Sequence, residues 1–398
     1  TGFAELLSST RDPGRRAVVI GRQMRLLQLA GETSRAVELG LAELGRLGVR
    51  VPKPIKNRHV ALAVLGAWRA ARKVSREQLL EMAEVRDERI KAQMHIFGAL
   101  SGVLFSVDQL LFIHLAGIHA RLVLTEGYHS TATVALAELA FAIVGMGQVA
   151  MAGRLAEDNL ALAKARGAGP GPLLVAEGIW LLFVGPCYRP YRDCAAAVED
   201  AHITAVELGE RLDAGYRGSV GLVLHIEACT HLAEVKALFR RFHVHHPAWC
   251  TPETAAIVGI VMWVHRRLVG EADEGGDEAE WLRAPQPPDP EDPEISVLTR
   301  CALVVSQAWV HLMLGEHEQA WVLAERISPA FEKDMFGSWV IPRAALIDAV
   351  LCGERAQREP GSRRRLLRRL RRDLAVCRRW ARDGGDNFGP LVDVVLAE

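Results

Sequence analysis

Apolar residues recur three or four positions apart along almost the whole chain. From Arg35 to Leu47 the set Ala36, Val37, Gly40, Leu41, Leu44 and Leu47 turns one helical face inward. The same spacing predicts helices over 76–84, 109–125, 132–145, 153–166, 192–212, 251–269, 297–314 and 364–382. Alternating patterns bounded by Asn-Gly turns do not occur, while Gly-Pro breaks at 169–172 and 185–190, with Pro52, Pro54, Pro247 and Pro252, supply stops. The fold class predicted is all-α, and about eight to nine helix pairs of roughly 35–45 residues fit the length.

A turn signal decides between a bundle and a stack. Gly31-Glu-Thr-Ser-Arg-Ala36, Gly147-Gln-Val-Ala-Met-Ala152 and Gly315-Glu-His-Glu-Gln-Ala320 each hold Gly, four residues, then Ala. An apolar helix ends just before each Gly, which permits a left-handed cap. Another begins around the Ala, whose small side chain lets the two helices pack closely. This turn resembles that of a tetratricopeptide repeat, with 312–324 the best copy. Separations of 116 and 168 residues, from 31 to 147 and from 147 to 315, are not multiples of the repeat's 34, so the repeat is degenerate. The expectation is a superhelical stack of antiparallel helix pairs, a degenerate tetratricopeptide-like α-solenoid.

One stretch interrupts the pattern. Residues 271–294 hold ten acids and one Arg, with five prolines between Pro285 and Pro293 that cannot continue a helix. The chain is expected to divide into a helical-repeat block over 1–270, an acidic Pro-rich linker or loop over 271–294, and a continuing block over 295–398. It opens on Thr1 and closes within a helical pattern at Val394-Val-Leu-Ala-Glu398, so a segment truncated at both ends is expected.

Charge and composition narrow the function classes. The 398 residues carry 48 Lys+Arg against 48 Asp+Glu and are half apolar, which disfavours both a nucleic-acid coat and a disordered chain. The longest apolar runs, 95–107 and 139–153, fall short of the roughly 18–20 residues of a membrane span. The seven cysteines include no C-x-x-C pair and read as small reduced core residues, so a cytoplasmic location without a membrane span is expected.

Candidate chemistry is sparse. His243, His245 and His246, with Cys250 and Cys229 nearby, suggest a metal site, but adjacent histidines on a helix point apart and Pro247 starts a turn. An ordinary helix-end loop is the competing reading. His225-Ile-Glu227 has the first half of a zinc-deaminase motif without its P-C-x-x-C half, and His225 to His231 does not match H-E-x-x-H. Phosphate-binding, nucleophile-elbow and kinase catalytic-loop motifs are absent. No catalytic residue and no cofactor are assigned. The distal segment 363–382 has Leu366, Leu370, Leu374, Cys377 and Ala381 stepping by 4, 4, 3 and 4 between ten arginines. Three readings stay open for it: a solvated helix, a mate for the acidic 271–294 segment, and a nucleic-acid or membrane contact.

The stretch Ala36-Val-Glu-Leu-Gly-Leu-Ala-Glu-Leu-Gly-Arg-Leu-Gly-Val-Arg-Val-Pro52, with 147–167, Arg189-Pro-Tyr-Arg192 and the basic helix, resembles the helical region of very large bacterial signalling ATPases. Those proteins place a tetratricopeptide-like region after an AAA- or STAND-type ATPase module. Many add a serine/threonine protein kinase domain, and some a C-terminal sensor domain. The chain departs from them in its acidic insertion and in lacking ATPase or kinase motifs, so no family activity transfers to a residue here. The resemblance implies a non-catalytic protein-interaction or regulatory solenoid that binds a protein or peptide, or other domains of its parent. Two alternatives are a small-effector-sensing domain of a STAND-type regulator and a helical enzyme with a buried cavity near His225, His231 or His243.

Overall fold

A computed structural model of the protein describes residues 2–228, 231–244, 252–270, 297–326 and 337–397. Among these residues the chain forms nineteen α-helices and no sheet, and most helix packing is between neighbours in sequence. The described residues group into two compact units, 1–146 with 151–179, and 147–150 with 180–398. The acidic stretch 271–294 lies outside the described residues and falls between two helices of the second unit.

The first unit contains α1 (Gly2–Ser9), α2 (Pro13–Leu29), α3 (Thr33–Arg46), α4 (Asn57–Ala71), α5 (Arg76–Leu80), α6 (Glu88–Val107), α7 (Gln109–Glu126), α8 (Ala132–Gly145), most of α9 (Val149–Ala165) and α10 (Pro170–Ile179). Helix starts follow side-chain caps. Asp12 accepts the Arg15 N–H at 2.7 Å ahead of Pro13, and Ser75 and Gln78 form a reciprocal cap on α5. Asp108 ends α6 and accepts the Leu111 N–H at 3.0 Å, which starts α7 one residue later.

α3 returns antiparallel to α6, where the Leu47 carbonyl accepts from Arg89 at 2.7 Å and Gln93 at 2.9 Å. α2 runs parallel to α6, with Gly14 beside Glu88, Gly21 beside His95 and Gln28 donating to the Gly102 carbonyl. α4 likewise runs parallel to α7: His114 bonds the His59 carbonyl, and Gly117 lies against Ala63 and Val64 so closely that a Cβ would sit 2.8 Å from backbone carbon. Every residue from Ala132 to Val144 is buried, which explains why the α8 sequence is apolar on all sides.

The second unit holds α11 (Tyr191–Glu207), α12 (Arg211–Glu227), α13 (Leu232–Phe239), α14 (Pro252–Val269), α15 (Val297–Met313), α16 (His317–Arg326), α17 (Ile341–Arg358), α18 (Arg363–Ala381) and α19 (Gly385–Ala397). Leu222, Leu238, Phe239, Phe242, Val258 and Met262 form one apolar core, and Ile260, Val264, Leu303 and Val310 another. Asn387 on α19 donates to the Pro186 and Arg189 carbonyls and accepts the Tyr191 N–H, fastening the final helix to the start of α11.

Four details depart from the sequence expectation. The single helix predicted over 192–212 is two helices, because Gly209 takes φ +71° and turns the chain back. The helix predicted over 76–84 stops at Leu80, and Ala83 and Val85 pair their backbones with Tyr128 instead. α14 and α15 follow one another among the described helices but run parallel, since Glu253 meets Thr299 at their starts and Arg267, in the last turn of α14, meets Glu316 just past the end of α15. Finally, Pro170–Cys187 is long and apolar enough to cross a membrane by length and composition, but half of it is buried in the protein and its second half breaks into π and 3-10 turns.

Candidate functional site

The turn glycines Gly31, Gly147 and Gly315 adopt φ of +77°, +75° and +73°. Ala36, Ala152 and Ala320 are fully buried. At Gly31 the glycine N–H bonds the Gln28 carbonyl and the next N–H, of Glu32, bonds Leu27, so two end carbonyls of α2 are satisfied. Ala36 then donates to the Glu32 carbonyl at 3.2 Å, closing the first turn of α3 on the side facing α2. Gly315, Glu316 and Ala320 repeat these bonds. So does a fourth copy, which periodicity alone conceals. Gly209-Glu-Arg-Leu-Asp-Ala214 has the same spacing, with Glu210 bonding Ala205 and Ala214 bonding Glu210. The helix predicted over 192–212 runs through it and hides the signal.

Helix α18 presents the strongest surface feature. Arg363, Arg364, Arg365, Arg368, Arg371, Arg378, Arg379 and the following Arg382 are exposed and form no ion pair among the described residues. Arg371, Arg378, Arg379 and Arg382 line an open groove of about 720 Å³ between α18 and α19, floored by Ala375, Ala381 and Val392, with Asp393 its only acid. Guanidinium groups in such a groove suit bidentate contact with carboxylates or phosphates.

The inward side of the same helix is different. Its buried residues are Leu366, Asp373, Val376, Cys377 and Trp380, while Leu370, Leu374 and Ala381 are only half-buried. The predicted stripe is thus rotated, because Trp380 packs edge-on against Phe388, 5.4 Å away, and carries Asp373 inward. Arg369 pairs with the buried Asp348 and with Glu325, and Arg372 with Asp373 and Asp348. Burial first, and then hydrogen bonding to Asp348, pushes the Asp373 carboxyl above the usual carboxylate range. Arg355 and Arg369 also stack on the Trp321 ring, 4.2 and 5.4 Å from its centre. Two of the ten arginines are therefore held by acids of α16, α17 and α18. The reading of 363–382 as a mate for 271–294, one of three left open, falls on a segment outside the described residues.

A second site opens among α12, α14, α15 and the start of α17. It is a cleft of about 60 Å³, lined mainly by apolar residues such as Val223, Ile257, Val261 and Val305. Its polar edge is Ser306 and the pair Glu227–Arg343, in which Arg343 grips both carboxylate oxygens. The Arg343 guanidinium also lies 4.8 Å from the centre of the Trp309 ring. Burial raises the Glu227 pKa despite the opposing pull of Arg343.

His245, His246, Cys250 and Cys229, and the side chain of His243, lie outside the described residues. Among the described residues no three His, Cys, Asp or Glu side chains converge as metal ligands. His231 caps α13, accepting the Ala233 N–H at 3.3 Å, and His225 is half-buried, with its pKa lowered by burial. Cys187, Cys194, Cys352 and Cys377 are buried free thiols, and burial holds the last three up at about 12. No protein-family model, curated protein or solved structure matches this chain.

Proposed function

We propose that this chain is a non-catalytic protein-interaction and regulatory solenoid of tetratricopeptide-like helix pairs, whose α18–α19 groove docks an acidic protein segment. The four unpaired arginines along that groove carry the proposal. The solenoid reading draws support from the four Gly-x4-Ala turns, each with its glycine at positive φ and three of them with the same cap hydrogen bonds. The parallel run of α2 with α6 and of α4 with α7 also supports it, since equivalent helices of stacked hairpins lie parallel. The resemblance to cytoplasmic bacterial signalling ATPases and kinases supplies the context: a bound segment would bias helix packing and so a neighbouring ATPase or kinase domain.

The test is fluorescence anisotropy of a labelled Glu- and Asp-rich peptide with the full chain. Binding should weaken with added salt. It should fall by roughly tenfold or more on combining Arg371→Glu, Arg378→Glu, Arg379→Glu and Arg382→Glu. An absence of binding, equal binding by the reversed-charge variant, or preference for an RNA or DNA of the same length would each defeat the proposal.

A second reading rests on the apolar cleft at Glu227 and Arg343, which fits a small effector with an apolar body and one polar end. Thermal-shift screening separates the two, because an effector at 100 times its Kd adds about 2.7 kcal/mol of stability that persists in the charge-reversed arginine variant, whereas a shift from an acidic peptide is lost there.

A further inference from the structure

The first unit has a polar centre in its interior. Where α6, α7 and α8 meet, Ser101, His119 and Glu138 share with Phe97 and Phe112 the wall of a cavity of about 10 Å³. On this measure such a volume admits one water and nothing larger. Glu138 is 2% exposed and His119 0%.

The surrounding hydrogen bonds fix what each group presents. His119 Nε2 lies 3.1 Å from Thr131 Oγ1, which is also 3.2 Å from the Met94 carbonyl and 3.0 Å from His129 Nδ1. The Thr131 N–H donates to that same His129 Nδ1, which therefore carries no proton. The Thr131 hydroxyl donates its single proton to the Met94 carbonyl, so His119 Nε2 is the donor to Thr131 Oγ1. Burial keeps His119 neutral, its pKa lowered to about 3, and a neutral ring protonated at Nε2 has a bare lone pair at Nδ1. Burial, opposed by a hydrogen bond from Ser101, raises the Glu138 carboxyl to about 8, which favours the protonated acid at neutral pH. His119 Nδ1 and Glu138 Oε1 are both buried without a hydrogen-bond partner in the protein.

We propose that this cavity is a binding site for one water molecule, which accepts from the Glu138 carboxyl and donates to His119 Nδ1. The water satisfies two atoms that would otherwise be costly to bury. It also completes a hydrogen-bonded path from Glu138, in the middle of α8, through His119 to the Thr131 hydroxyl. A metal cation is a poor occupant, because a neutral carboxyl, a neutral imidazole and the Ser101 hydroxyl offer it no negative charge.

An atomic-resolution crystal structure of the full chain, grown in rubidium chloride, tests the site. The expected result is one density peak within about 2.6–3.2 Å of both Glu138 Oε1 and His119 Nδ1, without anomalous signal. A cavity without density, a direct Glu138–His119 hydrogen bond, or an anomalous peak overturns the proposal. In solution, water-oxygen magnetic relaxation should count one fewer long-lived water in Glu138→Leu than in the native chain. An unchanged count in a folded variant also overturns it. Where that variant does not fold, the native crystal decides alone.

Discussion

The Thr299 hydroxyl donates to the Glu253 carboxylate, first turn to first turn, and so fixes α15 parallel to α14. A chain leaving the end of one helix must regain the start of the other, which a tight turn cannot do. From Glu253 to Arg267 the helix rises about 21 Å at 1.5 Å per residue, and four extended residues span only about 14 Å. Replacing 271–296 with a four-residue turn should abolish cooperative unfolding of this unit, whereas a Gly/Ser linker of the native length should leave helical circular dichroism and the urea midpoint near native. Retention of both by the short version would contradict the parallel pairing.

Gly209 should be intolerant of a side chain for backbone reasons alone. It sits at φ +71°, and a Cβ added there would meet nothing within 4 Å. Gly209→Ala should cost about 1–2 kcal/mol in urea denaturation, and Gly209→Asn less, because Asn tolerates the left-handed region.

Removing one member of the Glu227–Arg343 pair should cost more than removing both. Glu227 is 7% exposed and Arg343 21%, so Arg343→Leu takes the bidentate guanidinium away from a carboxylate held out of water. The single variant should lose about 3–5 kcal/mol, and adding Glu227→Leu should restore most of it. Equal losses in the single and double variants would show that the pair is not coupled.

The two sides of α18 should separate in the same assay. Arg369→Met leaves the buried Asp348 short of its guanidinium, next to Asp373, and should cost about 3 kcal/mol. Arg379→Met removes an exposed, unpaired charge and should stay within about 0.5 kcal/mol of native.

Stability should pass through a broad maximum near pH 4.5–6.5. Glu138 binds its proton more tightly when folded, about 8 against 4.5 unfolded, so its contribution is full below 4.5 and is lost as pH rises through 8. His119 is the reverse, about 3 folded against 6.5 unfolded, so its contribution is lost as pH falls from 6.5 towards 3. Unfolding free energies from urea titrations across pH should show the alkaline limb shallower by about 1.4 kcal/mol per pH unit in Glu138→Gln and the acid limb shallower by the same amount in His119→Phe, since Asp373 and His129 keep part of each limb.

Much of the helical layout could be read from period and punctuation. The 132–145, 109–125 and 297–314 helices were legible to within a residue at their ends, because apolar spacing and Asp or Gly caps are local signals. The Gly-x4-Ala turn was legible too, and its fourth copy at 209–214 was hidden only by continuous helical periodicity on both sides. The basic character of α18 was plain from its arginines. Which of them were spoken for was not, since Asp348 and Glu325 lie 21 and 44 residues before Arg369.

That this protein is helical, where most of its helices turn, and that one distal helix is densely basic all follow from contacts within a few residues along the chain. Tertiary structure alone decided that α14 and α15 run parallel and that α18 rotates to bury Asp373 and Trp380. It alone brought Glu227 to Arg343 and Glu138 to His119. Each of those depends on packing between distant segments, where the fit of large side chains and the cost of burying a charge outweigh any local preference.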